Sequence, residues 1–332
     1  QQTTIRCVAA LVAVLIPAGT LVYLYLFKMM SFMQSRLGPM EAGPYGSLQL
    51  LAEVGKFLQK EDIIPRNADR VVFKAAPFVV LASTFLLVLV LPAGPDAWFI
   101  NVDTGVFLAL AVSSISVIGI LMAGWGSASK YSLLGGLRAA GQLVAYELPL
   151  VLAVMGVVIQ AGTLNVQEIV LSQANGEIFG WGGIGNPYLL TQFLGFAIFL
   201  VAVQAELTQP PFDMPVAESE IVTGYLTEYS GMRFLLFFIG EFATAGIFSA
   251  LAATFFLGGW YVPGLDPASD LFNVIGPLVL LTKMILVSFL IFWFRFTYPR
   301  FREDQLQQLA WKILIPLSLA NIMVTGVLKV VF

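Results

Sequence analysis

Apolar residues gather along this chain in long, nearly unbroken runs instead of recurring every third or fourth position. Runs long enough to cross a hydrocarbon core fall at about 7–27, 71–92, 104–123, 142–161, 188–207, 234–257, 274–294 and 312–331. The pattern predicts eight membrane-spanning helices. Pro17 makes the first the least regular, because it removes a donor from the hydrogen-bond ladder. The rhythm changes in the 28–70 connection. Its Gly38-Pro39 and Gly43-Pro44 pairs mark a tight turn, and beyond them Gln49, Glu53, Lys56 and Lys60 recur at helical spacing while Leu48, Leu51, Val54 and Leu58 fall on the rest of the surface. That reads as an amphipathic helix on the membrane surface or docked to a partner, with a solvated connector as the plainer alternative. Before the fourth run, Ser127, Ser129 and Lys130 suggest a capped helix start, and Gly135-Gly136 a flexible or closely packed turn. No internal repeat is visible, so residues 1–332 are expected to form one all-α, polytopic membrane domain.

Composition agrees with a bilayer and excludes several functions. The 332 residues are 58% hydrophobic and 11% charged. Of the 17 Lys and Arg, 14 lie in or beside the connections after spans one, three, five and seven; those after spans two, four and six have none. Under the positive-inside rule the first set faces the cytoplasm and both chain ends lie outside. The chain starts at Gln1 without an initiator Met, so it is expected to lack the first residues of its gene product, and no targeting is inferred. Histidine is absent and Cys7 is the only cysteine, which excludes an intrachain disulfide, a thiolate cage for an iron–sulfur cluster and a His-ligated haem or zinc supplied by this chain alone. The glycines of "WGGIGNP" (181–187) sit in a polar loop with no following phosphate-loop lysine. A net charge of −3 does not suit a nucleic-acid surface.

Charge is nonetheless concentrated in one place. Residues 206–228, "ELTQPPFDMPVAESEIVTGYLTE", hold five of the 20 acids (Glu206, Asp213, Glu218, Glu220 and Glu228) and no base. Three prolines in "QPPFDMP" stop the helix, and irregular backbone at membrane level survives only where protein buries it or water reaches it. A solvated acidic face would be hydrophilic throughout, whereas Phe212, Met214, Val216, Ile221, Val222 and Tyr225 interleave this one. The 206–233 segment therefore reads as a cavity wall whose crowded carboxylates exchange protons near neutral pH. Glu218 and Glu220, two apart, point in different directions and need not serve one site. Further charges stand inside the apolar runs: Glu147 ahead of Pro149, Glu241 about two turns into span six, and Lys283 near the middle of span seven. Glu241 is a plausible counter-charge for Lys283, with an inert salt bridge as the alternative to a functional pair. The working hypothesis is a loop with one face on a ligand cavity and another on a proton route through Glu147, Glu206, Glu228 and Glu241.

Four segments then carry a resemblance: "QSRLGPMEAGPYGSLQLLAEVGKFLQKED", "GWGSASKYSLLGGLRAAGQLVAYELPL", "AELTQPPFDMPVAESEIVTGYLTEYSGMRF" and "RFTYPRFREDQLQQLAWKILIPLSLANI". In order and spacing they resemble the family of membrane H subunits of NADH-quinone oxidoreductase, respiratory complex I, and the match runs end to end. The resemblance implies eight spans, both ends outside, and a place at the heel of the membrane arm of a bacterial energy-transducing membrane. There a quinone tunnel rises toward iron–sulfur clusters on neighbouring subunits. It implies quinone as substrate, no cofactor bound by this chain, flavin and iron–sulfur clusters on partner subunits, and other membrane and peripheral-arm subunits as partners. By match it assigns Arg36, Phe212, Asp213, Glu218, Glu220, Arg295 and Arg300 to the quinone cavity or its surroundings. It likewise assigns Glu147, Glu206, Glu228 and Glu241 to proton coupling; Lys283, as a charge inside span seven, is grouped with them from its position in the sequence. The chain departs from the family pattern at Leu26, Phe27, Gln209 and Glu303; Gln209 stands where an arginine would act as counter-charge to Asp213. Two alternatives stay open: the equivalent component of a relative with another electron donor or of a membrane-bound hydrogenase, and a stand-alone ion-coupled transporter, against which the missing inverted repeat counts.

Overall fold

The computed structural model describes residues 2–176, 185–265, 267, 269 and 271–331, with the backbone course alone for 2–11. Residues 181–184 of the glycine-rich loop lie outside the described residues. Helices occupy all eight predicted runs. They are α1 (Gln2–Leu21), α3 (Arg70–Val88), α4 (Gly105–Gly126), α5 (Lys130–Ala161), α7 (Phe193–Glu206), α8 (Gly231–Phe256), α9 (Leu271–Thr297) and α10 (Glu303–Val331). Seven of the helical spans are long and apolar enough to cross a membrane; α7 is the short one. Two more helices lie in connections: α2 (Gln49–Gln59), where the amphipathic helix is predicted, and α6 (Val166–Asn175), which the apolar pattern misses because it is short and polar.

Local chemistry explains the irregular spans. After Pro17, α1 passes into a π-helical stretch, Val22–Met29. Tyr25 in that stretch stacks on Phe292 at 5.0 Å, and Phe292 on Phe242 at 5.8 Å, so rings tie α1 to α9 and α8. α4 breaks at Ser114, where the Ser113 hydroxyl donates back to the Leu110 carbonyl and competes with the ladder, while the Ser114 hydroxyl lies between that carbonyl and Glu147. α7, at about 21 Å, is too short for a bilayer by itself. It is prolonged by a turn, Tyr188–Thr191, that breaks at Gln192. The buried Gln192 amide donates to Thr325 at 2.7 Å and accepts from Asn321 at 2.9 Å, so the break is paired inside the protein.

Gly135 and Gly136 are not in a turn. They lie within α5, where a Cβ on Gly135 would come within 2.5 Å of the Tyr225 nitrogen and one on Gly136 within 3.3 Å of Gly124 Cα. Close packing, the second of the two sequence readings, is therefore the correct one. Ser129 precedes α5 as expected, without a side-chain capping bond. α2 packs inward through Phe57, stacked on Phe234 at 5.6 Å, and leaves Leu51 (67%) and Leu58 (63%) exposed.

The connections meet at two ends. At one, Asp69 donates its N–H to Gly126, Arg233 pairs with Asp62 at 2.8 Å, and Arg138 pairs with Glu220 at 2.7 Å. This is the basic end. At the other, Asn165 bonds Asn101, Gln167 bonds Gly94 and Pro95, and the fully buried Trp260 donates to Gln167.

Lys283 corrects an expectation. Its ammonium donates to the carbonyls of Leu257 at 2.7 Å and Tyr261 at 2.6 Å, just past the end of α8, while Glu241 pairs with Arg295 near the basic end. Lys329 treats α5 in the same way, donating to Ile159 and Gln160. Each lysine thus satisfies orphan carbonyls at a helix C-terminus and meets the negative end of its dipole. Lys283→Met should destabilise the protein by about 1–3 kcal/mol, whereas Glu241→Gln should leave this capping intact; thermal denaturation of both variants in detergent checks the difference.

Candidate functional site

The segment after α7 is shaped by what its prolines forbid. Helix ends at Glu206, and the chain continues through Pro210, Pro211 and Pro215. Its freed backbone groups are met from inside the bundle. The buried Gln142 amide donates to Ala205 O at 2.6 Å and Phe212 O at 2.8 Å, Gln204 donates to Pro210 O at 2.6 Å, and the Phe301 N–H reaches Pro211 O at 3.0 Å. The chain then reverses through Ala217 and Val222, both at positive φ, to Gly224. A Cβ on Gly224 would stand 1.7 Å from Pro215 O, so only glycine fits there.

This fold-back closes a cavity of about 200 Å³ against α8 and α9. Its polar wall carries Gln209, Asp213, Glu218, Glu241 and Arg295; Tyr225, Phe234 and Phe238 supply an aromatic side. Arg295 Nη1 lies 3.3 Å from Glu241 Oε1, the same oxygen that accepts from the Gln209 amide at 3.3 Å. Burial pushes the Asp213 carboxyl up from its ordinary 3.8 to about 6, with Glu241 adding to the rise and a backbone bond from Ala217, Arg295 and Arg300 opposing it. Burial, then the charges of Glu241 and Asp213, push the Tyr225 hydroxyl up as well, so it remains a donor. A carboxyl that changes state near neutrality, a paired carboxylate and guanidinium, and an aromatic side together suit a planar ring bearing hydrogen-bonding oxygens.

The remaining predicted residues divide. Glu220 faces a separate, solvent-open cleft, where it pairs with Arg138 and Arg300, and Arg138 holds it below its usual range. Glu218 and Glu220 thus serve different clefts. Phe212 is not on the cavity: it is buried between Tyr146 at 5.2 Å and Phe301 at 5.5 Å. Arg36 is exposed and bonds Gln34, away from both clefts. Glu228 makes no side-chain hydrogen bond or ion pair among the described residues. Glu147 accepts from Ser114 at the break in α4, and Glu206 ends α7 with its Oε2 buried. Sequence reasoning missed Ser114, Arg138 and Gln142. The run of serines in "AVSSISV", inside an apolar span, was a signal for the first.

Comparison with known proteins decides the family. The family model described as NADH dehydrogenase matches residues 5–326. Proteins named as the H subunit of NADH-quinone oxidoreductase from Bacillus thuringiensis (strain Al Hakam), Bacillus mycoides (strain KBAB4) and Bacillus cereus (strain AH187) are each 44% identical over 306 residues, covering 92% of this chain and 87% of theirs. The chain belongs to the H-subunit family of NADH-quinone oxidoreductase. As such it is an integral membrane component of complex I, an enzyme complex, and its partners include the other complex I subunits.

The position of Asp213 gives a test. Because its carboxyl is raised, the folded-back segment favours the protonated form, and this contribution to stability fades as pH rises from about 3.8 through about 6. Infrared titration should show a protonated carboxyl lost near pH 6 and absent in Asp213→Asn.

Proposed function

We propose that this chain walls the path of quinone at the basic end of complex I and passes the effect of quinone reduction to proton-translocating parts of the membrane arm. The observation that carries the reading is the cavity in which Asp213, Glu218, Glu241 and Arg295 face an aromatic side. Quinone reduction takes up two electrons and two protons. In this reading the electrons come from iron–sulfur clusters and flavin on partner subunits, and this chain adds no redox group.

In this reading Asp213 answers a change of charge in the cavity, because a carboxyl near its titration point takes up or gives up a proton at little cost, while the fixed charge of Arg295 steadies its anion. Glu241 shares Arg295 and relays the change into α8. Glu206 and the Glu147–Ser114 pair continue the acids along α7 and α5, away from the cavity. Arg138, Arg300 and Glu220 latch the segment from outside. Arg36 and Glu228, apart from the cavity, are assigned to contacts with neighbouring subunits. The basic end faces the cytoplasm and both chain ends lie outside a bacterial cell membrane, by the distribution of Lys and Arg.

Asp213→Asn should lower quinone reductase activity of the assembled complex by at least about tenfold, and Glu218→Gln should lower it too, while electron transfer to an artificial acceptor at the peripheral arm persists; unaltered quinone reduction in both variants contradicts the reading. Glu147→Gln should reduce protons translocated per electron, and an unchanged ratio at full turnover removes it from the route.

A further inference from the structure

α4 carries no ionisable side chain between Gly105 and Gly126, yet it supplies the hydrogen bond to a carboxyl within its neighbour α5. Glu147 is half-buried there, and among the described residues its carboxyl accepts from Ser114, from no other group, and pairs with no lysine or arginine. The nearest charge that acts on it is of the same sign: Glu206, at the end of α7, lies within electrostatic reach. An acid at membrane depth with no cation beside it depends on neutral partners in either protonation state.

The bonding at the break in α4 fits a serine to that task. In an unbroken helix the Leu110 carbonyl would accept the Ser114 N–H. Here that N–H turns to Val112 O, and Leu110 O accepts from the Ser113 hydroxyl at 2.7 Å, with Ser114 Oγ 3.2 Å away. Ser113 satisfies the carbonyl by itself. The Ser114 hydroxyl has one proton and two lone pairs, so its own proton is free to turn between Leu110 O and Glu147 Oε1. With Glu147 ionised, the serine donates to the carboxylate. With Glu147 protonated, the carboxyl O–H donates to Ser114 Oγ and the serine proton turns to Leu110 O. An ammonium or guanidinium in the same place could only donate, and would hold the anion alone.

We propose that Ser114 is the positioning residue of Glu147: its rotatable hydroxyl, released by Ser113, donates to the carboxylate and accepts from the acid, so Glu147 gains and loses a proton without leaving a polar group at membrane depth unpaired. The exchanged proton stays on the carboxyl, and the serine only turns. The break in α4 is what makes this possible, because it brings two adjacent hydroxyls to one carbonyl and leaves one of them spare. The consequence for proton translocation rests on the reading of Glu147 as part of the proton route; the two-way bond rests on the geometry of the break.

Two measurements on the assembled complex separate these. In infrared difference spectra recorded on lowering the pH, the band that Glu147→Gln removes is the carboxyl stretch of Glu147. Ser114→Ala should move that band to higher wavenumber, toward that of a carboxyl without a hydrogen-bond partner, and Ser114→Thr, which keeps the hydroxyl, should hold it near the wild-type position. Ser114→Ala should also lower protons translocated per electron, with recovery in Ser114→Thr, and should cause no further fall in a Glu147→Gln background, since the two residues act as one unit. An unmoved band in Ser114→Ala, or the absence of any band that depends on Glu147, overturns the proposal. A further fall in the Glu147→Gln background also overturns it, because a residue that merely shapes the break in α4 would act whatever stands at 147. Failure of the proton-route reading looks different: the band moves in Ser114→Ala as expected, while Glu147→Gln leaves the ratio of protons to electrons unchanged.

Discussion

A chain that leaves the helix at membrane depth frees carbonyl and amide groups that lipid cannot satisfy, so the protein itself must supply their partners. The segment after α7 does this under duress, since three prolines keep it from resuming helix. Gln142 from α5, Gln204 from α7 and the Phe301 amide reach in to meet Ala205, Phe212, Pro210 and Pro211. Once those bonds are made, the path of the rest is constrained. Phe212 is driven into the core against Tyr146, Gly224 passes under Pro215, and Asp213 is left facing α8 and α9. The cavity is a consequence of satisfying the backbone.

The bases are distributed to match. At the basic end arginines meet carboxylates across elements: Arg295 with Glu241, Arg233 with Asp62, and Arg138 and Arg300 with Glu220. At the opposite end lysines meet the carbonyls that finish α5 and α8. A guanidinium forks between acceptors and keeps its charge, which suits shared ion pairs, while a compact ammonium suits a cluster of carbonyls. The Glu220 clamp is exposed, so salt screens it, and the outer latch is expected to be looser than the inner bonds made by the glutamines.

Much of this was legible in the sequence. Uninterrupted apolar runs located eight helices, seven of them long and apolar enough to cross a membrane, and the "QPPFDMP" prolines located the irregular wall. The spacing of Glu218 and Glu220 allowed that they serve different sites, while the resemblance grouped both at one cavity; they line separate clefts. The errors have one cause in common, which is that periodicity does not say which element lies beside which. Lys283 and Glu241 seemed a pair because both are charges in apolar runs, yet they stand toward opposite ends of the bundle. Phe212 sits next to Asp213 in sequence, but the tight turn closed by the Phe212 N–H on Gln209 O sends the ring between Tyr146 and Phe301, and only the acid lines the cavity. Gln142 and Gln204 drew no attention because amides within apolar helices look neutral. Their importance comes from pairing with a backbone far along the chain, as Gln142 does with Phe212.

The central claim is that the folded-back segment and α8 border the path of quinone, and photoaffinity labelling tests it most directly. A short-chain quinone carrying a photoreactive group, activated in the intact complex and mapped by peptide mass spectrometry, should attach to this chain between residues 208 and 241, with unlabelled quinone competing. Competable labelling confined to other parts of the complex, with none between those residues, would contradict the account.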